Sequence, residues 1–216
     1  MTTSHRFHLI GIGGAGMSVV AELLKDRGLE VSGSDQKDSP VLDHLRSVGV
    51  KVFVGHDAAH VPAGSVVVVS TAVRETNPEL AYARKEGLTV IHRSQALALA
   101  ASGMRFVAVA GAHGKTTTSG MLSMALRQAG ADPSIAVGSV IPELGSGAHL
   151  GSGDIFVAEA DESDGSFLNY TPWIEIVTNV EPDHLDRYGS REAFEQVFVD
   201  FVGCLREGGT LVCCGE

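Results

Sequence analysis

The chain has 216 residues, 16 Lys and Arg against 26 Asp and Glu, and a formal net charge of −10 with histidine neutral. That length suits one large or two small domains of about 100 to 200 residues each, either able to bury a core. The acidic balance argues against a nucleic-acid partner, which needs a basic face, so any polyanionic ligand must be held locally by backbone N–H groups, a few cations or bound metal.

The first residues, "MTTSHRFHLIGIGG", hold only a short apolar run broken by glycine, which is neither a signal peptide nor a membrane span. No membrane association is expected, and the location is read as cytoplasmic. Cys204, Cys213 and Cys214 are too few and too crowded for a disulfide framework and lack zinc-site spacing. They are expected to be buried thiols in a reducing compartment.

Along the chain, short β-rich runs alternate with helical patterns, the signature of parallel α/β architecture. Strands are expected at 7–12, 30–34, 51–54, 65–70 and 89–92, with helices at 15–27, 39–48, 78–86 and 94–101. "SVVVVS", 65–70, is apolar without alternation, as befits a strand covered on both faces. "ASGMR", 101–105, breaks the pattern, and a domain boundary is placed there, between 1–103 and 104–216. A strand, "FVAVAG", and a helix at 115–129 restart it, followed by strands near 134–138, 154–160 and 174–180, a helix at 191–206 and a strand at 210–214. In the 115–129 helix Met121, Leu122, Met124, Ala125 and Leu126 suit a buried face. "GSGAHLGSG", 145–153, reads as flexible loop. A domain of this style would normally continue past "TLVCCG", so the chain is expected to be incomplete.

Two glycine loops carry the functional signal. Gly11, Gly13 and Gly16 form G-x-G-x-x-G between a strand and a helix, with Asp35 at the end of the next strand, about 20 residues on. The glycines let backbone approach a diphosphate at a helix N-terminus, and Asp35 is expected to accept from a ribose hydroxyl. Taken alone, this loop suggests an NAD-dependent oxidoreductase.

The second loop, "GAHGKTT", spans Gly111, Ala112, His113, Gly114, Lys115, Thr116 and Thr117 and is read as the ATP-binding stretch. Lys115 would reach the β- and γ-phosphates and the Thr116 hydroxyl would ligate magnesium. Its spacing departs from the common phosphate loop, which asks for glycine where Val109 stands; here the glycine is Gly111. The fold class that follows is α/β, a Rossmann-like first domain and a P-loop-type parallel-sheet ATPase domain.

Further magnesium ligands are sought at strand ends, where α/β sheets bind ligands. "DIFVAEADESDGSF" offers Glu159, Asp161, Glu162 and Asp164, and "VTNVEPDHLD" offers Asn179, Asp183, His184 and Asp186. The latter group could hold a divalent ion or orient an attacking group.

With "GIGGAGMS", these stretches together resemble the Mur ligase family, ATP-dependent amide-forming enzymes of peptidoglycan synthesis, and most closely its alanine-adding branch. The resemblance implies that the first domain holds UDP-N-acetylmuramate, with Gly13, Gly14, Ala15, Gly16 and Met17 under the diphosphate. Asp35, His56, Ser70, Thr71, Ala72 and Arg93 are implied around the same substrate. It also implies that Lys115, Thr116, Glu159 and His184 are catalytic, the last three as ligands of magnesium or manganese. The implied reaction runs from UDP-N-acetylmuramate, ATP and L-alanine through an acyl phosphate.

Three features depart from the family pattern or bear on the branch. Ala112 stands where the family usually has Thr. No lysine follows Lys115, which agrees with the alanine-adding branch, where a carbamylated lysine is not expected. Family members are about twice as long, so a C-terminal domain is expected to be missing and the 216-residue chain is expected not to turn over. Alternatives left open are a non-catalytic nucleotide-binding switch and, nearer, a muropeptide-recycling ligase.

Overall fold

The computed structural model describes residues 6–181 and 185–214. The chain divides into two units, Met1–Ala100 and Ala101–Glu216.

In the first unit, β1 (Arg6–Ile10), β2 (Glu30–Asp35), β3 (Lys51–Val54), β4 (Val66–Val69) and β5 (Val90–His92) form one sheet in the order β3-β2-β1-β4-β5. Every pairing in it is parallel. Strand order reverses between β1 and β4, which opens a crevice at the carboxyl ends of those strands. The helices α1 (Ala15–Asp26), α2 (Pro40–Ser47), α3 (Pro78–Lys85) and α4 (Arg93–Ala100) lie in the connections. Local sequence explains where they start. Ser39 caps α2 by accepting from Leu42 N–H, and Asn77 caps α3 by accepting from Glu79 and Leu80 N–H, each with proline at the first helical position. Ile10, Val67, Leu80 and Ala83 close one core cluster, which draws α3 onto the sheet.

In the second unit, β6 (Arg105–Ala110), β7 (Ser134–Ile141), β8 (Ser146–His149), β9 (Ile155–Glu159), β10 (Ile174–Val177) and β11 (Thr210–Cys213) take the order β11-β10-β6-β9-β7-β8. All pairings are parallel except β7 with β8. The helices are α5 (Lys115–Gln128), α6 (Leu185–Tyr188) and α7 (Arg191–Val202). Under α7 the ring of Phe167, from a 3-10 turn at Ser166–Asn169, stacks on Phe201 at 4.4 Å and meets Phe198 edge-on. Fully burying each such ring contributes about 1.5–3 kcal/mol.

Four expectations are corrected. First, 146–149 of the supposed loop is strand β8: a Cβ at Gly147 would lie 2.2 Å from Val137 O, so glycine here permits a close antiparallel approach rather than flexibility. Second, α5 fully buries none of its large apolar residues, although Met124 packs half-buried against the core of Ile135, Val137 and Ile141. Met121 is 70% exposed and Ala125 is exposed, while Ser119 and Ser123, four apart, are the buried positions. Small side chains let this helix lie close, and Leu122 and Leu126 instead line an apolar groove of about 450 Å³ with Ile174, Ile176 and Val212. Third, Cys213 and Cys214 are exposed, because β11 is an edge strand with all four residues exposed, and Cys204 is half-buried. Fourth, the helix expected to reach 206 ends at Val202, followed by Gly203. Among the described residues no helix is long and apolar enough to cross a membrane.

Candidate functional site

The first loop leaves β1 at Gly11 and enters α1 at Ala15. It is fastened to the end of β2: Gly11 and Ile12 N–H donate to Ser34 O at 2.8 and 2.9 Å, and Gly13 N–H donates to Asp35 Oδ2 at 2.9 Å. Asp35 therefore braces the loop itself in this structure, where the sequence reading gave it a ribose hydroxyl. The closest neighbour of a Cβ built on Gly16 would be Arg93 Nη1 at 2.5 Å, so Arg93 does reach the loop.

Beside the loop is a cavity of about 610 Å³. Gly14, Met17, Asp35, His56, Ser70 and Ala72 of the expected set line it; Gly13, Ala15, Gly16, Thr71 and Arg93 do not. Gln36, Arg74, Thr76 and Asn77 line it as well and were missed. Their sequence signal was position: Gln36 follows the β2 end, and the other three follow β4, at the switch point where a ligand crevice opens.

The second loop runs from β6 into α5. Gly111 has φ of +131°, and a Cβ there would lie 2.1 Å from Thr178 Oγ1 and 3.0 Å from Asn179 backbone. Its displaced position is therefore fixed by the β10 end, which presses against the loop and leaves no room for a side chain. Two residues of that end hold the loop in shape. Asn179 Nδ2 donates to His113 O at 2.9 Å while its Oδ1 accepts from His113 N–H at 3.1 Å. Thr178 Oγ1 donates to His113 O at 2.6 Å. Thr178 was not singled out by sequence, although it stands in the same "TN" pair.

Gly114, with φ of +83°, caps α5 without a side-chain hydrogen bond and no acidic residue lies in the first turn. The helix N-terminus thus presents unsatisfied N–H groups and the positive end of its dipole, a ready anion site. Lys115 Nζ donates to Gly111 O at 2.7 Å and to Glu162 Oε1 at 2.9 Å. Glu162, its side chain 1% exposed, is thus the counter-ion of the lysine. Asp161 and Asp164 accept from Ser163 and Ser166 N–H at 3.0 and 2.9 Å and shape the turn. Tyr188 donates to Glu162 O, which ties α6 to that turn, and burial pushes its phenol up.

Glu159 ends β9 next to β6, in register with Val109, close to where the loop departs. Its Oε1 is buried and has no hydrogen-bond partner among the described residues. A buried carboxylate oxygen without a donor is a poor structural element and a suitable hard ligand for a divalent cation, so this residue fits the role expected of it. Thr116 is exposed in the first turn of α5. Asp183 and His184 lie outside the described residues, as does the side chain of Asp186. Among the described residues no three His, Cys, Asp or Glu side chains converge as a metal site.

Parallel sheets with glycine loops at strand ends, each leading into a helix N-terminus without a side-chain cap, define the class: an α/β protein of nucleotide-binding fold. Residues 6–105 match the Mur ligase family catalytic domain and 109–216 the Mur ligase middle domain. The chain belongs to the Mur ligase family. It is 56% identical over 211 residues to a UDP-N-acetylmuramate–L-alanine ligase of Renibacterium salmoninarum, covering 98% of this chain and 45% of that protein. Among solved structures it is similar to a UDP-N-acetylmuramate:L-alanyl-γ-D-glutamyl-meso-diaminopimelate ligase of Neisseria meningitides, with 31% identity, a TM-score of 0.90, and coverage of 98% and 71%. It is also similar to a UDP-N-acetylmuramate–alanine ligase of Thermotoga maritima, with 30% identity, a TM-score of 0.86, and coverage of 98% and 49%. The chain thus spans about half the length of its alanine-ligase relatives.

Proposed function

We propose that this chain is the sugar-nucleotide- and ATP-binding portion of an ATP-dependent ligase that joins L-alanine to the lactyl carboxylate of UDP-N-acetylmuramate, in the cytoplasmic stage of peptidoglycan synthesis. The observation that carries this reading is the second loop: Lys115 and the open N-terminus of α5 meet at a glycine bend held by Thr178 and Asn179. Identity of 56% to an alanine ligase over nearly the whole chain supports the choice of amino acid.

In the proposed reaction the sugar carboxylate attacks the γ-phosphate of ATP, giving an acyl phosphate and ADP, and the amine of alanine then displaces phosphate to form the amide. Two anions must meet, so positive charge has to be concentrated on the transferring phosphoryl group. Lys115 moves from Glu162 to the phosphates, and Glu162 remains to orient it. Gly111, Ala112, His113, Gly114, Thr116 and Thr117 wrap the phosphate chain with backbone N–H groups and hydroxyls. Glu159 and Thr116, with His184, would hold magnesium or manganese, which supplies charge neutralisation on the phosphoryl oxygens. In the first unit, Gly13 to Met17, Asp35, His56, Ser70, Thr71, Ala72 and Arg93 receive the UDP-sugar, and Arg74 is added to them as a cation on the same cavity.

An oxidoreductase reading leaves Lys115 and Glu159 without work, and a non-catalytic switch leaves the sugar-nucleotide cavity without a reaction partner. Calorimetric titration of this chain with UDP-N-acetylmuramate, ATP and NADH tests the reading. The two substrates are expected to bind, and NADH binding that UDP-N-acetylmuramate does not displace would refute it. Joined to the remaining half of an alanine-ligase relative, the chain should release phosphate from ATP on addition of L-alanine. Release driven only by an L-alanyl-γ-D-glutamyl peptide would move it to the recycling ligases.

A further inference from the structure

Beside the first-unit cavity is a buried polar cluster that the proposed chemistry leaves unused. Pro78 starts α3, and the next residue, Glu79, points inward with 0% exposure. Donors from several elements surround its carboxylate. Oε2 accepts from Ser34 Oγ at 2.5 Å and lies 3.4 Å from His8 Nε2 and 3.6 Å from His56 Nδ1. Oε1 accepts from Asp57 N–H at 3.2 Å and lies 3.2 Å from His60 Nδ1. Burial alone would raise the pKa of Glu79, but hydrogen bonds from His8 and Ser34, and the charge of His8, hold it below the ordinary carboxylate value. Glu79 is therefore a fixed acceptor.

That fact propagates outward by counting protons. A serine hydroxyl has a single hydrogen to donate. Ser34 commits it to Glu79, so towards His56 Nδ1, 2.8 Å away, the same oxygen can only accept. His56 Nδ1 must then carry a hydrogen, and in the neutral ring Nε2 keeps its lone pair. Nε2 has no hydrogen-bond partner among the described residues, and His56 borders the cavity.

We propose that Glu79, acting through the Ser34 hydroxyl, is a positioning residue that fixes His56 as the Nδ1–H tautomer, so that Nε2 accepts a hydrogen bond from an N–H or O–H donor on the nucleoside of the bound ligand. The ligand half rests on the sugar-nucleotide reading above; the tautomer half does not. A uracil N3–H and a ribose hydroxyl share the required chemistry. Arrangements in which a second group sets the tautomer of a working imidazole are general, because the hydrogen bond made by one ring nitrogen decides what the other can do.

The test is long-range proton–nitrogen correlation NMR of the nitrogen-15-labelled chain at about pH 8, where imidazoles are mostly neutral. The His56 signals are assigned by their absence in His56→Asn. The wild-type chain should show His56 as Nδ1–H. Ser34→Ala, which removes the acceptor and only one oxygen atom, should move the population towards Nε2–H, the form a free histidine favours. Glu79→Gln should do the same by letting Ser34 turn its hydroxyl; if that variant fails to fold, the wild-type and Ser34→Ala spectra still decide. A merely structural Glu79 predicts no change of tautomer. Nε2–H in the wild-type chain, or Nδ1–H unmoved in Ser34→Ala, overturns the proposal.

UDP titration reads the ligand half. Ser34→Ala should weaken UDP up to about tenfold, the worth of one hydrogen bond. If that loss vanishes with CDP, the donor is the base N–H; if it vanishes with 2′-deoxy-UDP, it is the ribose hydroxyl; if it persists with both, the ligand half is overturned. Failure of the wild-type chain to bind UDP sinks the sugar-nucleotide reading, and the spectra then judge the relay separately.

Discussion

Glu175 sits in the middle of β10, opposite Ala108 of β6 and Leu211 of β11, with 0% exposure. Neither carboxylate oxygen has a hydrogen-bond partner among the described residues. Burial pushes its pKa up from the ordinary 4.5 to about 7. The folded chain therefore prefers the neutral acid, whereas the unfolded chain ionises freely above 4.5. Stability associated with this group is complete below the unfolded value, falls as pH rises from 4.5 to about 7, and is flat above that. The gap corresponds to about 3 kcal/mol. Glu175→Gln keeps the shape of the neutral acid and cannot ionise. Urea unfolding followed by the fluorescence of Trp173, the sole tryptophan and a residue of the same unit, measures the effect. Near pH 4.5 variant and wild type should be about equally stable, and by about pH 8 the variant should lead by about 3 kcal/mol. Parallel stability curves across that window, or a wild type that gains on the variant as pH rises, would refute the buried, unpartnered carboxylate.

Lys115→Met should abolish ATP binding in calorimetry and also destabilise the second unit by up to about 3 kcal/mol, because it strands the Glu162 carboxylate. Lys115→Met combined with Glu162→Gln should recover the stability and not the binding. Asn179→Ala removes both bonds to His113 and should weaken ATP about tenfold, with a thermal shift of only a few degrees in this chain. Gly111→Ala should be strongly destabilising, since its Cβ meets Thr178 Oγ1 at 2.1 Å and backbone at 3.0 Å; Gly16→Ala should fold normally, since it meets the movable end of Arg93. Thermal unfolding of the two alanine variants compares them directly.

Much of this architecture was legible because parallel strands buried on both faces leave a blunt mark. The apolar run at β4 and the strand–glycine–helix passages around Gly11 and Gly111 are local patterns with local causes. What was not legible depended on partners distant in sequence. β8 reads as glycine-rich loop until β7 lies against it, and then the absence of a side chain at Gly147 is what allows pairing. Part of the α5 face was misread because periodicity favours large apolar residues, whereas its fully buried positions are Ser119 and Ser123, with Met124 half-buried on the β7 core beside them. The same limit applies at the sites. Lys115 announces itself by motif, but its partner Glu162 lies 47 residues on and looks like any member of an acidic turn. Glu79 has no signal beyond the "NPE" of a helix start, and only the fold brings it to His8, Ser34, His56 and His60.

Each glycine loop commits one amide to a side chain, but to side chains of different charge, and this divides the proposed labour between them. At the second loop the His113 N–H donates to the neutral amide of Asn179, and the N-terminus of α5, like that of α1, has no side-chain cap among the described residues, so backbone donors remain for a phosphate. At the first loop the Gly13 N–H already donates to Asp35, a carboxylate placed where an anion would repel it. A diphosphate at that loop must then either use the N–H groups beyond Gly13 or displace Asp35 towards the ribose. The first alternative keeps the brace and positions the sugar nucleotide by the cavity walls, among them His56 and Arg74. The second returns Asp35 to the role its spacing suggests. In both, the first loop is shaped for recognition of a whole ligand, and the second for charge.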